Sequence, residues 1–169
     1  MPFTPDMRVD LARFWSTIAR SAEIGPGRPG GLERLALSDA DREVRDQFAA
    51  WCREAGLLVE VDEVGSMFAR REGREPGLPP VLIGSHLDTQ VNGGRFDGIA
   101  GVLGGLEVVR CLNEAGHVTR RPIVVVNWTN EEGARFSPPM VASGAFVGKY
   151  EVPWIYDLKA DDGARFGDE

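Results

Sequence analysis

Val81-Leu82-Ile83-Gly84-Ser85-His86-Leu87-Asp88-Thr89 decides how the chain is read. The apolar run follows directly on Pro79-Pro80, which cannot extend a helix, so it reads as a buried strand. That strand delivers a histidine, and two residues later an aspartate, to its far end. Residues 99–115 are apolar on several faces and carry small side chains at Gly98, Ala100, Gly101, Gly104 and Gly105, as a helix lying close on a sheet requires. Residues 122–128 contain Ile123-Val124-Val125-Val126, the β-branched pattern of a strand covered on both faces. Strand, helix, strand in this order is a βαβ unit with a right-handed crossover. The expected fold class is therefore α/β, a mostly parallel central sheet flanked by helices, with functional groups at the carboxyl ends of the strands.

Working outward, residues 9–22 place Val9, Leu11, Phe14, Trp15 and Ile18 near helical spacing, and the glycine–proline stretch 25–31 stops that helix. Leu32-Glu33-Arg34-Leu35 is too short to assign. Ser38 is a natural cap for a helix whose stripe is Val44, Phe48, Trp51, Cys52 and Ala55, with Gly56 as its stop. Residues 57–61 and 66–71 predict a strand pair around a turn at 62–65. Beyond Ala134 the chain is irregular, with Pro138-Pro139 and a short helix expected around residues 142–147; from Glu151 no closing element is evident.

The 169 residues make one domain's worth of chain, and 43% hydrophobic content is enough for a core. A net charge of -7 argues against a general nucleic-acid binder. No apolar run is long enough to span a membrane, and residues 1–6 lack a charged-then-apolar leader, so a cytoplasmic protein is the default expectation. Cys52 and Cys111 stand far apart without ligand spacing and read as buried thiols.

The chemistry gathers at the strand ends. His86 and Asp88 close the first strand, the loop Asn92-Gly93-Gly94-Arg95-Phe96-Asp97-Gly98 ends on a carboxylate, and the second strand runs into Thr129-Asn130-Glu131-Glu132-Gly133. An imidazole among carboxylates suits zinc, manganese, cobalt or nickel better than calcium. Asp88 lies on the same side of an extended backbone as His86 and could hold the ring's other nitrogen. Asp97 could bridge two metals. Glu131 and Glu132 cannot both point one way, so one could bind metal while the other faces the pocket and takes a proton. A nucleotide-binding reading of Gly98, Gly101 and Gly104 is disfavoured by their spacing and by the neighbouring acids.

Gly84-Ser85-His86-Leu87-Asp88-Thr89, Gly93-Gly94-Arg95-Phe96-Asp97-Gly98 and Asn130-Glu131-Glu132-Gly133-Ala134-Arg135-Phe136 together resemble the metal-dependent amidase family of N-carbamoyl-L-amino acid hydrolases, allantoate amidohydrolases and β-ureidopropionases. That family belongs to the aminoacylase and carboxypeptidase-like metallopeptidases. The resemblance runs from the first helix to about Gly148. It implies His86 as ligand of one metal, Asp97 as the bridging ligand, Glu132 as ligand of the other, Glu131 as general base and Asp88 as the partner of His86. It also implies that Phe136, Met140 and Ser143 lie in a pocket-side loop. The implied cofactors are a pair of divalent ions (zinc, manganese, cobalt or nickel). The implied substrate is a small N-carbamoyl or ureido acid whose linear carbon–nitrogen bond is hydrolysed, with neither nucleic acid nor membrane as partner.

Members of that family are much longer, with further metal-binding histidines in later segments and a lid domain that dimerises and binds the substrate carboxylate. Here the histidines are His86 and His117, and His117 follows Gly116 at the entry end of a strand, away from the rim. Residues 1–169 are therefore expected to be the N-terminal part of a catalytic domain, with half of a dinuclear site. The lid domain and the C-terminal part of the catalytic domain are expected to be absent, an edge and an apolar face of the sheet to be left open, and the homodimer to belong to the full-length form. The rival readings are an inactive metal-binding or partner-binding remnant and, within hydrolases, an aminoacylase or dipeptidase.

Overall fold

Asp10 starts the first helix: its carboxylate accepts the amide of Arg13 at 3.0 Å and caps α1, Leu11–Ser21. The computed structural model describes residues 7–169; residues 1–6, whose sequence lacks a charged-then-apolar leader pattern, lie outside the described residues. Ser38 caps α2, Asp39–Glu54, by accepting the amide of Asp41 at 3.3 Å. The stripe expected there is the buried one, with Val44, Phe48 and Cys52 in the core.

β1, Leu58–Val61, and β2, Met67–Arg71, form a hairpin. Its turn is held by the Asp62 carboxylate, which accepts the amides of Val64 at 3.1 Å and Ser66 at 2.7 Å. β3 is Val81–Ser85, α3 is Ile99–Glu114 and β4 is Ile123–Asn127, and together they form the βαβ unit. The sheet order is β1-β2-β4-β3.

The α/β class and the flanking helices are as expected, but the sheet is mixed rather than mostly parallel. Among the described residues β3 and β4 alone pair in parallel; β1–β2 and β2–β4 are antiparallel. The cause is local. A tight turn can join only antiparallel neighbours, and the hairpin then lays β2 along β4. A second correction concerns β3. Read as buried, it is an edge strand in which Val81, Leu82 and Gly84 are exposed. β4 lies between two strands and is buried throughout.

Two small residues let α3 sit close. A methyl group on Gly101 would lie 2.8 Å from the Ser85 Cβ, and one on Gly105 would lie 3.0 Å from a Val125 methyl. The core forms on this face of the sheet, where Ala69, Ile123 and Val125 meet Ile18, Val44, Phe48, Leu103 and Leu106. α1 is tied to α3 by Arg13, whose guanidinium reaches the buried Glu107 carboxylate at 2.7 Å. The other face is less covered. Phe68, Trp128 and Phe146 cluster there, with ring centroids 5.1–6.0 Å apart, while Leu58 (60%) and Leu82 (40%) remain exposed.

The tail does close. α4, Val141–Phe146, α5, Val152–Tyr156, and a 3-10 turn, Phe166–Asp168, enclose a second core of Val64, Phe136, Val141, Ala142, Ile155 and Phe166. Cys52 is buried, Cys111 is half-buried, and both are free thiols. No helix among the described residues is long and apolar enough to cross a membrane.

Candidate active site

His86 leaves β3 at the carboxyl end of the sheet and is 5% exposed. Its Nδ1 lies 2.8 Å from the main-chain oxygen of Asp88. A carbonyl only accepts, so Nδ1 carries the proton of that bond. Nε2 faces the Glu131 carboxylate at 3.3 Å. With Nδ1 engaged by that carbonyl, Nε2 and the carboxylate face each other as two groups able to share a cation. Gly98 leaves room for this ring. Its φ is +67°, and a methyl group on it would fall 2.4 Å from Nε2.

Asp88 does two jobs with different atoms. Its carbonyl holds His86, while its carboxylate accepts the amides of Glu131 at 3.3 Å and Glu132 at 3.2 Å. The carboxylate is 3% exposed. Burial, and next the charge of Asp41, push its pKa up to about 6, opposed by His86 and by the two amides. Asp88 thereby ties the end of β3 to the turn that follows β4.

That turn is shaped by Asn130, which is buried with φ +55°, a left-handed conformation that asparagine tolerates better than most residues. Its side-chain amide donates to the Phe136 carbonyl at 2.6 Å, and the amide of Met140 donates to the Glu131 carbonyl at 2.9 Å. The two glutamates lie in this turn rather than on extended backbone, so strand alternation does not govern them, and their carboxylates meet different partners. Glu131 faces His86, and Glu132 accepts from the Gln90 side chain at 2.9 Å.

His86, Asp88 and Glu131 are thus brought together, and Glu132 joins them through its main chain. Asp97 is exposed and, among the described residues, makes no hydrogen bond or ion pair with the other candidates, while Gly98 next to it packs against the His86 ring. Among those residues no group of three or more His, Cys, Asp or Glu side chains is arranged to hold a metal ion. The donor chemistry, an imidazole nitrogen facing a carboxylate with further carboxylates on adjoining loops, suits a divalent cation.

Phe136 is not at a pocket surface. It is wholly buried, edge-on to Phe166 with centroids 5.1 Å apart. Met140 is exposed, and Ser143 is half-buried with its hydroxyl on the Met140 carbonyl at 3.2 Å. His117 lies at the start of the segment entering β4, its amide on the Leu112 carbonyl at 2.9 Å. A cleft of about 400 Å³ is lined by Leu35, Val91, Arg135 and Lys159 among others, and none of the five rim candidates lines it. Sequence reasoning missed Gln90 and the seat that Gly98 makes for His86. For Gly98 a signal existed, since a glycine directly after a candidate ligand invites the question of what lies above it.

Comparison with known proteins gives a consistent picture. The model of Peptidase family M20/M25/M40 matches residues 82–165. An N-carbamoyl-L-amino-acid amidohydrolase of Rhizobium meliloti is 54% identical over 162 residues, covering 96% of this chain and 39% of that protein. Allantoate deiminase 1 of Glycine max is 36% identical, covering 78% of this chain and 28% of that one. The crystal structure of a hydantoinase/carbamoylase family amidase from Burkholderia ambifaria superposes with a TM-score of 0.94 at 53% identity, covering 95% of this chain and 40% of that one. The chain spans about two-fifths of the length of the first of these relatives.

Proposed function

Because the chain belongs to Peptidase family M20/M25/M40, we propose that it supplies the N-terminal part of the catalytic domain of a metal-dependent amidohydrolase. The proposed reaction is hydrolysis of a linear carbon–nitrogen bond in a small N-carbamoyl or ureido acid. The observation that carries this reading is the approach of His86 Nε2 to the Glu131 carboxylate at 3.3 Å, at the mouth of a βαβ unit. The identity to carbamoyl-amino-acid and allantoate enzymes supports the substrate class.

His86, Asp97 and Glu132 would hold the divalent ions, with the remaining donors and a dimerising lid contributed by chain outside these 169 residues. When bound, such ions supply Lewis acidity, making a carbonyl more electrophilic and water more acidic. Glu131 accepts the proton of the attacking water and returns it to the leaving amine. Asp88 fixes the tautomer of His86 through its carbonyl and orients Glu131 through its carboxylate.

The test is Glu131→Gln in a complete enzyme carrying this segment. Turnover, followed as ammonia release, should fall by about 10²–10⁴-fold, the usual contribution of a general base, with metal content unchanged. Undiminished turnover would reject the role. The remnant reading is favoured by one observation, the exposure of Asp97. Titrating this chain with zinc or manganese alongside the ammonia assay separates the two, since tight uptake without turnover supports a remnant.

A further inference from the structure

Gln90 follows the strand end that carries His86 and Asp88, and its main chain is tied down on both sides. The Thr89 amide donates to the Arg34 carbonyl, and the Thr89 hydroxyl accepts the Arg34 amide, both at 2.9 Å. That hydroxyl in turn donates to the Gln90 carbonyl at 2.9 Å, and the Gly93 amide donates to the same oxygen at 3.1 Å. Leu32 and Gly93 exchange amide–carbonyl bonds at 2.9 and 2.7 Å. Residues 32–34 thus form a strap that fixes the loop at Thr89 and Gly93, with Gln90 between. The Gln90 side chain is exposed and spans to the turn after β4, where its Nε2 donates to the Glu132 carboxylate at 2.9 Å.

Glu132 is therefore gripped at two points by one loop. Its main-chain amide donates to the Asp88 carboxylate at 3.2 Å, and its own carboxylate accepts from Gln90. A carboxylate only accepts, so the amide nitrogen of Gln90 is the end that faces it. Among the described residues no arginine, lysine or histidine pairs with that carboxylate. The neutrality of the donor matters. A cation there would fix the side chain but would also offset the negative charge that attracts a metal ion. An amide fixes the side chain and leaves the charge standing.

We infer that Gln90 is a positioning residue for the rim: a neutral anchor that holds the Glu132 carboxylate in one pose and leaves its charge to a cation. Its bearing on metal binding rests on the proposed hydrolase function; its bearing on the pose does not. Gln90 acts through Glu132 and touches no reacting atom.

The experiment compares Gln90→Met and Gln90→Lys with the unsubstituted protein. In the metal-free chain, vicinal couplings about the Glu132 χ1 bond report whether one staggered rotamer is held. Methionine keeps the length of the side chain and removes the donor. The preference of Glu132 for its main rotamer should then fall about fivefold, the contribution of one hydrogen bond to a charged group. Lysine keeps a donor and should restore that preference to within about twofold. Amide shifts in β4 should match throughout, as expected for an exposed position. An unchanged rotamer preference with methionine, or lysine behaving as methionine does, overturns the anchor. The second readout is calorimetric uptake of zinc or manganese by a complete enzyme carrying this segment. Affinity should fall about fivefold with methionine and about tenfold or more with lysine, whose charge opposes the ion. Undiminished uptake with lysine overturns the need for a neutral donor, and with methionine the bearing of the pose on the metal. The couplings are read without metal or substrate, so the anchor can fail while the hydrolase reading stands, and the reverse.

Discussion

His86 and Asp97 are joined by one loop, yet they occupy different mechanical worlds. The histidine is 5% exposed, pinned at Nδ1 by a carbonyl, roofed by Gly98 and faced by Glu131. The aspartate stands in solvent on a glycine-rich segment. The difference follows from what precedes each residue. A strand end inherits the alignment of its sheet, and its side chains are placed before anything binds. A loop carboxylate has only local turns to hold it. The rim therefore combines a preorganised part with an adaptable one, and the two should answer to substitution in opposite ways.

The hardest blow to the preorganised part is Asp88→Ala. It leaves the amides of Glu131 and Glu132 without their acceptor. A loss of about 3 kcal/mol in urea unfolding is expected, from two bonds to a charged acceptor. A loss below about 1 kcal/mol would mean that Asp88 is not the clasp between the strand ends. Gly98→Ala should cost about 2 kcal/mol, because its positive φ is strained for any side chain and the new methyl meets the imidazole. The His86 ring resonances should shift with it, and if they do not, the seat is looser than drawn. Asp97→Asn sits at the other end of the scale. Unfolding should change by less than about 0.5 kcal/mol, as for an exposed residue. Divalent metal uptake by a complete enzyme should still fall clearly. A large stability loss in that variant would erase the contrast between the two parts.

The sequence made the elements legible where one residue's environment is set by its near neighbours. The caps at Ser38 and Gly56, the β-branched run of β4 and the small residues of α3 all fall in this class. It could not reveal which strands lie at an edge. Val81-Leu82-Ile83 is apolar whether or not a neighbour covers it, and only the pairing of β2 with β4 leaves β3 outside. The five-residue α5 and the 3-10 turn are too short to display a period, so the second core and the burial of Phe136 stayed hidden. At the rim the His86–Asp88 spacing announced proximity but not which oxygen would serve. The backbone carbonyl takes the ring, freeing the carboxylate to accept amides 43 and 44 positions further along the chain, beyond what spacing could reach. Gln90 left no trace, because a single exposed amide has no periodicity and its partner lies 42 positions away in the chain.

Trp15 lies with its ring centroid 5.8 Å from that of Phe96, the residue immediately before Asp97. Both rings are largely open to water. An indole in that position is a fluorophore whose emission depends on how closely its aromatic neighbour shields it. Any rearrangement that draws Asp97 inward must drag Phe96 with it and alter that shielding. With Trp51, Trp128 and Trp154 replaced, the remaining indole is an optical gauge of loop position, readable by steady-state emission without a label attached.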